Sequence, residues 1–168
     1  MKTMSLPQIN KILYTTSLGA YTRSVYRHAI QLAQQNQAEL VMLHVVNPVG
    51  ELGEALIRQY LPKDLVKKVH DEGIAKVIKQ MEERVQLFFD EELQNLDVPV
   101  KIKVTPKVVE GNHDEAILAT AKQEQVDLIV MGTENKLGLH SQSHTTQQVI
   151  KRSKVPVLVV PTGKDYNR

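Results

Sequence analysis

Residues 126–161 read VDLIVMGTENKLGLHSQSHTTQQVIKRSKVPVLVVP, and their order decides the fold. Asp127–Met131 (DLIVM) is an apolar run closed by Gly132, the composition of a strand buried on both faces of a sheet. A polar loop follows over 133–144, with one internal glycine, Gly138. Thr145–Ser153 has the length and spacing of a short helix, and Val155–Val160 (VPVLVV) is a last apolar strand. Strand, loop, helix, strand is the unit from which parallel sheets are built.

The same alternation extends upstream. Lys11–Thr16 (KILYTT) reads as a first strand. Thr22–Asn36 carries Val25, Ala29, Leu32 and Ala33 at helical spacing, with Thr22 as N-cap and Asn36 as stop. Glu39–Val46 (ELVMLHVV) is nearly continuous apolar sequence, a second buried strand. Residues 48–62 read as loop with some helical content. From Lys63 to Asn95, Val66, Val69, Ile74, Val77, Ile78, Met81, Val85, Phe88 and Phe89 predict one long helix, with Gly73 as the place for a bend. Phe88 and Phe89 are adjacent, so one is expected in the core and the other against the helix or a partner. The default for its mixed charges is a solvated outer face. Val100, Ile102 and Val104 alternate with lysines as an edge strand, which Pro99 and Pro106 suit because proline cannot donate to a ladder. Glu110–Gly111–Asn112 is a turn, Asp114–Glu124 a helix, and the tail TGKDYNR is expected to be loose. The reading is a single α/β domain over residues 1–168, an open doubly wound parallel five-stranded sheet with helices on both faces.

Composition excludes several functions. The 168 residues carry a net charge of +2. The densest basic stretch, Lys151, Arg152 and Lys154, complements a helix end rather than a phosphate backbone, so no nucleic-acid partner is expected. No run approaches the ~18 apolar residues of a membrane span, and the N-terminus does not read as a signal peptide. The absence of cysteine removes disulfides and thiolate chemistry. These features fit a cytoplasmic protein without membrane contact. With no Trp and two Phe, the core is expected to be aliphatic.

Ligands in such sheets bind beyond the carboxyl ends of strands where strand order reverses. Two loops fit, Thr16–Tyr21 and Gly132–His144, and a helix beginning near Thr145 would aim its free N–H groups between them. Other groupings are less persuasive. His140 and His144, with Glu134 or with His113–Asp114–Glu115, could be drawn as a metal site, but acidic residues are expected at a helix start in any case. Ser17, His44 and Asp127 could be drawn as a triad, but Asp127 precedes its strand and belongs to the opposite end of the sheet. His44, inside an apolar strand, reads as a satisfied core histidine. No metal ligand and no catalytic residue is assigned.

Residues 11–46 (KILYTTSLGAYTRSVYRHAIQLAQQNQAELVMLHVV) resemble the opening half of a universal stress protein, and 126–161 its closing half. EGNHDEAILATAKQEQVDLIVMG, residues 110–132, is the most specific part, similar to the family's third helix and fourth strand. The resemblance implies a strand order 3-2-1-4-5 and a homodimer paired through the last strand, Val155–Val160. It also implies one of two kinds of member, with or without ATP. ATP-binding members carry Gly-x2-Gly-x9-Gly-Ser/Thr after the fourth strand. Here Gly132 is the first glycine, Asn135 stands at the second, Ser143 at the third and His144 at the hydroxyl position, in a loop two residues shorter. The family's aspartate after the first strand falls on Ser17. Asn tolerates left-handed geometry, whereas Ser143 adds a Cβ where phosphate would press. The resemblance implies a nucleotide site of Thr16, Ser17, Val45, Val46, Met131, Gly132, Asn135, Ser143, His144 and Thr145. Val45 or Val46 would flank the base, and magnesium would enter only with ATP or AMP. The expectation is a stress-response protein acting by binding. Two alternatives stand beside it: a dimeric interaction module without nucleotide, and a slow ATP hydrolase, for which Glu134 is the one carboxylate in the second loop.

Overall fold

The computed structural model describes residues 3–16, 23–46, 63–97, 99–133 and 142–162, with backbone alone at 63, 66, 69, 70, 74, 77 and 142–144. Its elements are β1 (Lys11–Thr15), α1 (Arg23–Asn36), β2 (Glu39–Val46), α2 (Lys63–Gln94), β3 (Val104–Glu110), α3 (His113–Gln123), β4 (Leu128–Gly132), α4 (Gln142–Arg152) and β5 (Val157–Val160). The five strands form one parallel sheet in the order β3-β2-β1-β4-β5.

Strand periodicity of two divides the apolar residues between two layers. Ile12, Tyr14, Leu40, Met42 and Val130 face α1 and α2, joined by Val25, Ala29, Ile30, Ala33 and Val85. Leu13, Val41, Leu43, Ile129 and Met131 face α3 and α4, joined by Ile117, Ala121 and Val149. Each central strand is therefore apolar on both sides, which is why β2 and β4 read as continuous runs rather than alternations.

Three elements differ from expectation. The alternating Val100, Ile102 and Val104 do pack on the α1/α2 layer, but the strand proper is Val104–Glu110. Pairing sets its start: Leu40 faces Val104, and β2 begins only one residue earlier. Pro106 lies inside this edge strand opposite Met42, a position an edge tolerates. Secondly, β5 starts at Val157, not Val155. Ser153 Oγ donates to the Val155 carbonyl and accepts from its amide, closing a turn before the ladder begins. Thirdly, Phe88 and Phe89 both reach the core. Their centroids lie 5.7 and 6.2 Å from the Tyr26 ring, edge-on. Two neighbouring helical side chains diverge by ~100°, but rings are long enough to straddle a third. Tyr14 completes the group at 6.0 Å, so among the described residues the core is aliphatic except at this junction of β1, α1 and α2. α2 runs through Gly73 as continuous helix.

A charge cluster ties the amino-terminal end of β1 to β3 and α3. Glu124 accepts from Lys11 Nζ at 2.9 Å and Lys107 Nζ at 2.8 Å. These two hydrogen bonds hold its carboxyl down to about 2, from an ordinary 4.5. A lowered carboxylate pKa adds stability above pH ~4.5 that is lost as pH falls towards ~2. Glu124→Gln is expected to cost about 1–2 kcal/mol at pH 7, because a partly exposed carboxylate keeps some of its water. In urea titrations across pH, the gap between variant and wild type should close on approaching pH 2; a constant gap would show that charge is irrelevant.

Candidate functional site

The chain lays β2 and β3 on one side of β1 and then crosses to place β4 and β5 on the other. Such a reversal opens a crevice beyond the carboxyl ends of the two central strands. The last pair of the two central strands is Tyr14 with Val130. Beyond it the Thr16 amide turns to Leu43 of β2 and the Thr133 amide to Val160 of β5, so Thr16, just past β1, and Gly132, the end of β4, stand where the strands part.

Backbone ties hold both ends. Thr16 is buried; its amide donates to the Leu43 carbonyl at 2.9 Å, and its carbonyl accepts from His44 Nδ1 at 2.8 Å. That bond places the neutral imidazole's proton on Nδ1. Across the crevice the Gly132 carbonyl accepts from Thr146 Oγ1 at 3.2 Å, tying α4 to the end of β4. The Thr133 amide donates to the Val160 carbonyl, and Thr133 Oγ1 accepts from the Thr162 amide at 3.0 Å, joining the ends of β4 and β5.

α4 begins at Gln142, a turn earlier than its sequence suggested. Thr145 and Thr146 look like cap residues, but Thr146 is buried inside the helix with its hydroxyl spent on Gly132. Ser143 and His144 thus stand in the first helical turn rather than in a loop, with Thr145 directly after them. The helix already runs through 142–144, so its free amides do not belong to a turn starting at Thr145. Val45 and Val46 separate: Val45 packs with Met131 on the α3/α4 side, and Val46 packs on the α1/α2 side. Ser17, Asn135, Glu134, His140, Gly138, Thr22 and the stretch 48–62 lie outside the described residues.

The triad of Ser17, His44 and Asp127 is taken apart by this geometry. Asp127 Oδ2 accepts from the amides of Asn10 and Lys11 at 2.8 and 3.0 Å, at the opposite end of β1 from Thr16 and His44. Among the described residues no group of three or more His, Asp or Glu is placed to hold a metal ion. Asp114 of α3 is paired with Arg152 Nη1 at 3.3 Å. Among these same residues no helix is long and apolar enough to cross a membrane.

Sequence reading missed the ties made by His44, Thr146 and Thr133. None has a local signature, since each partner is 14 or more residues away. It also missed Glu92, buried on α2 and paired with Arg23 at 2.8 Å. Here a signal existed: Glu92 follows Phe88 by four residues and so shares the helical face that buries Phe88.

His44 and His113 both have pKa values below the ordinary 6.5, in each case chiefly through burial. For His44 the bond to Thr16 opposes the shift, and the Arg84 cation adds to it. For His113 the charge on His44 adds and Asp114 opposes. A lowered histidine pKa contributes stability that is present above pH 6.5 and declines as pH falls through the folded-state value. Urea midpoints should therefore drop from pH 7.5 to pH 5, and His44→Gln should flatten that slope. A variant as pH-sensitive as wild type would remove His44 from the account.

Residues 8–161 match the model of the universal stress protein family. The universal stress protein MJ0577 of Methanocaldococcus jannaschii is 28% identical over 160 residues, 89% of this chain and 93% of that one. Its solved structure superposes with a TM-score of 0.69 at 27% identity, covering 94% of this chain and 99% of that one. A universal stress protein solved in complex with cAMP shares the fold, with a TM-score of 0.56 at 17% identity over 93% of this chain and 99% of that one.

Proposed function

The chain belongs to the universal stress protein family, and on that premise we propose that it is a stress-response protein that binds an adenine nucleotide, ATP or AMP, in the crevice beyond β1 and β4. The observation that carries this reading is the hydrogen bond from Thr146 Oγ1 to the Gly132 carbonyl, which holds the amino-terminal part of α4 beside the end of β4. A helix start offers several unpaired N–H groups and a positive dipole end, which is what a phosphate needs. A protein of the same fold holds cAMP, which makes an adenine nucleotide the natural occupant.

In this reading Gly132, Asn135, Ser143, His144 and Thr145 surround phosphate, and Thr16 and Ser17 meet the sugar. Met131 and Val45 offer an apolar wall to the base, because they share one side of the sheet. Val46, which faces the other layer, supports the strand instead. Magnesium would arrive with the nucleotide. The protein acts by binding rather than by turnover.

Isothermal titration of nucleotide-stripped protein with ATP and AMP, with and without magnesium, tests this. Saturable heat is expected, and Ser143→Asp should abolish it by placing a carboxylate against phosphate. An acidic residue in the first turn is compatible with the helix dipole, so the variant should fold. No heat at millimolar nucleotide would end the nucleotide reading.

A second reading concerns assembly. β5 is an edge of the sheet, with Leu158 exposed on it, and Ile150 of α4 is half exposed. An uncovered apolar edge invites strand pairing. We infer a homodimer formed through Val155–Val160. Light scattering should give twice the chain mass, and Leu158→Lys should shift it to one; a wild-type monomer at working concentration would overturn this.

A further inference from the structure

Glu92 is a costly residue for its position. It is 2% exposed, and a buried carboxylate is tolerated only with strong partners. It has one partner. Its Oε1 accepts from Arg23 Nε at 2.8 Å, and Oε2 meets no hydrogen-bond donor among the described residues. A pair built for stability would use both oxygens against the guanidinium fork. This one is lopsided: the carboxylate is sealed in, while the Arg23 side chain is 59% exposed. Held at Nε, the guanidinium keeps the N–H groups of Nη1 and Nη2 for another acceptor.

Position indicates what that acceptor is. Arg23 is the first described residue of α1, the helix that follows β1. Helices after parallel strands begin at the carboxyl edge of the sheet, so Arg23 stands at the edge where Thr16 and Gly132 end. α1 and α4 pack on opposite layers of the sheet. The first turn of α1 itself contains no acidic residue, so the carboxylate that meets Arg23 comes from α2. The end of α2 is fixed there by Phe88 and Phe89 against Tyr26, so Glu92 is delivered to Arg23 by a rigid contact.

We propose that Arg23 reads phosphate in the crevice, its guanidinium aimed by the buried Glu92 and its Nη edge free to take two oxygens of a phosphate or pyrophosphate group. This deepens the nucleotide reading and rests on it. A planar fork with two parallel N–H donors matches two phosphate oxygens, which a lysine ammonium does not. Glu92 is then a positioning residue: it restricts a long side chain that would otherwise lose rotamer freedom on binding.

The test titrates wild type with adenosine, AMP, ATP and inorganic pyrophosphate. Arg23→Lys keeps a cation beside Glu92 and so guards against unfolding. A double variant, Arg23→Leu with Glu92→Leu, removes both charges together, which cores commonly tolerate. Expected results are adenosine affinity within about twofold of wild type and a loss of about tenfold or more for AMP, ATP and pyrophosphate, with a shallower salt dependence. The Arg23 Nε–Hε NMR signal of wild type should also shift on adding pyrophosphate, which a purely structural pair would not show. Unchanged affinities in both variants, with a still Arg23 signal, would overturn the proposal and leave the nucleotide reading standing. Pyrophosphate that moves Arg23 in a protein that ignores nucleotides would sustain the anion site and end the nucleotide reading. A wild type that binds neither would end both.

Discussion

Everything that bears on function depends on β1 lying directly against β4. Ile12, Leu13 and Tyr14 pair with Leu128, Ile129 and Val130, although the strands are more than a hundred residues apart in the chain. The amino-terminal end of this junction is locked by Asp127, which accepts the amides of Asn10 and Lys11. With that end closed and the strands in register, Thr16 and Gly132 must diverge together at the other end. The crevice is a geometric consequence of this pairing.

The two layers that cover the junction differ in kind. The α3/α4 layer is aliphatic, built from Leu, Ile, Val, Ala and Met. The α1/α2 layer holds the aromatic junction of Tyr14, Tyr26, Phe88 and Phe89 and, beside it, the buried charge of Glu92. Tyr26 is fully buried, and its hydroxyl has no partner among the described residues. Burial, then the nearby Glu92 carboxylate, pushes that phenol well above its ordinary pKa. An apolar layer needs no such features to be stable, and phenylalanine would fill the same space. Polar groups retained in a core at a cost are where specificity or function is to be sought.

How far this could be read from residues alone follows from the range of each interaction. Strand β2 was legible to the residue because a run buried on both faces carries its own signature. Helix α3 was legible to within one residue, since its apolar spacing is local. The start of β3 was not, because it is set by where β2 begins rather than by any property of Val100 or Ile102. Helix α4 extends before Thr145 because 142–144, polar and without apolar spacing, carry no periodic signal, and the tie from Thr146 to Gly132 that fixes the helix is not local. The pair Phe88–Phe89 misled for a related reason: periodicity speaks of Cβ direction, whereas ring length decides what is touched. The place of the crevice followed from the strand order that the family resemblance implied, and its inner ties were not legible, since a hydrogen bond from His44 to a backbone carbonyl 28 residues away leaves no trace in composition.

The displaced start of α4 also changes how the departures from the glycine pattern weigh. Glycine serves a phosphate loop in two ways, by taking positive φ and by letting the backbone come close. The first need disappears at position 143, because a residue inside a helical turn has negative φ whatever its side chain. What a residue other than glycine costs at position 143 is proximity alone. A site that loses close backbone approach must draw its charge compensation from further out. A guanidinium on a long side chain, steadied from beneath by a carboxylate, is suited to that reach. In such a crevice the phosphate would be held by helix amides on one side and by an arginine on the other, with less demand on glycine than the family's usual loop makes.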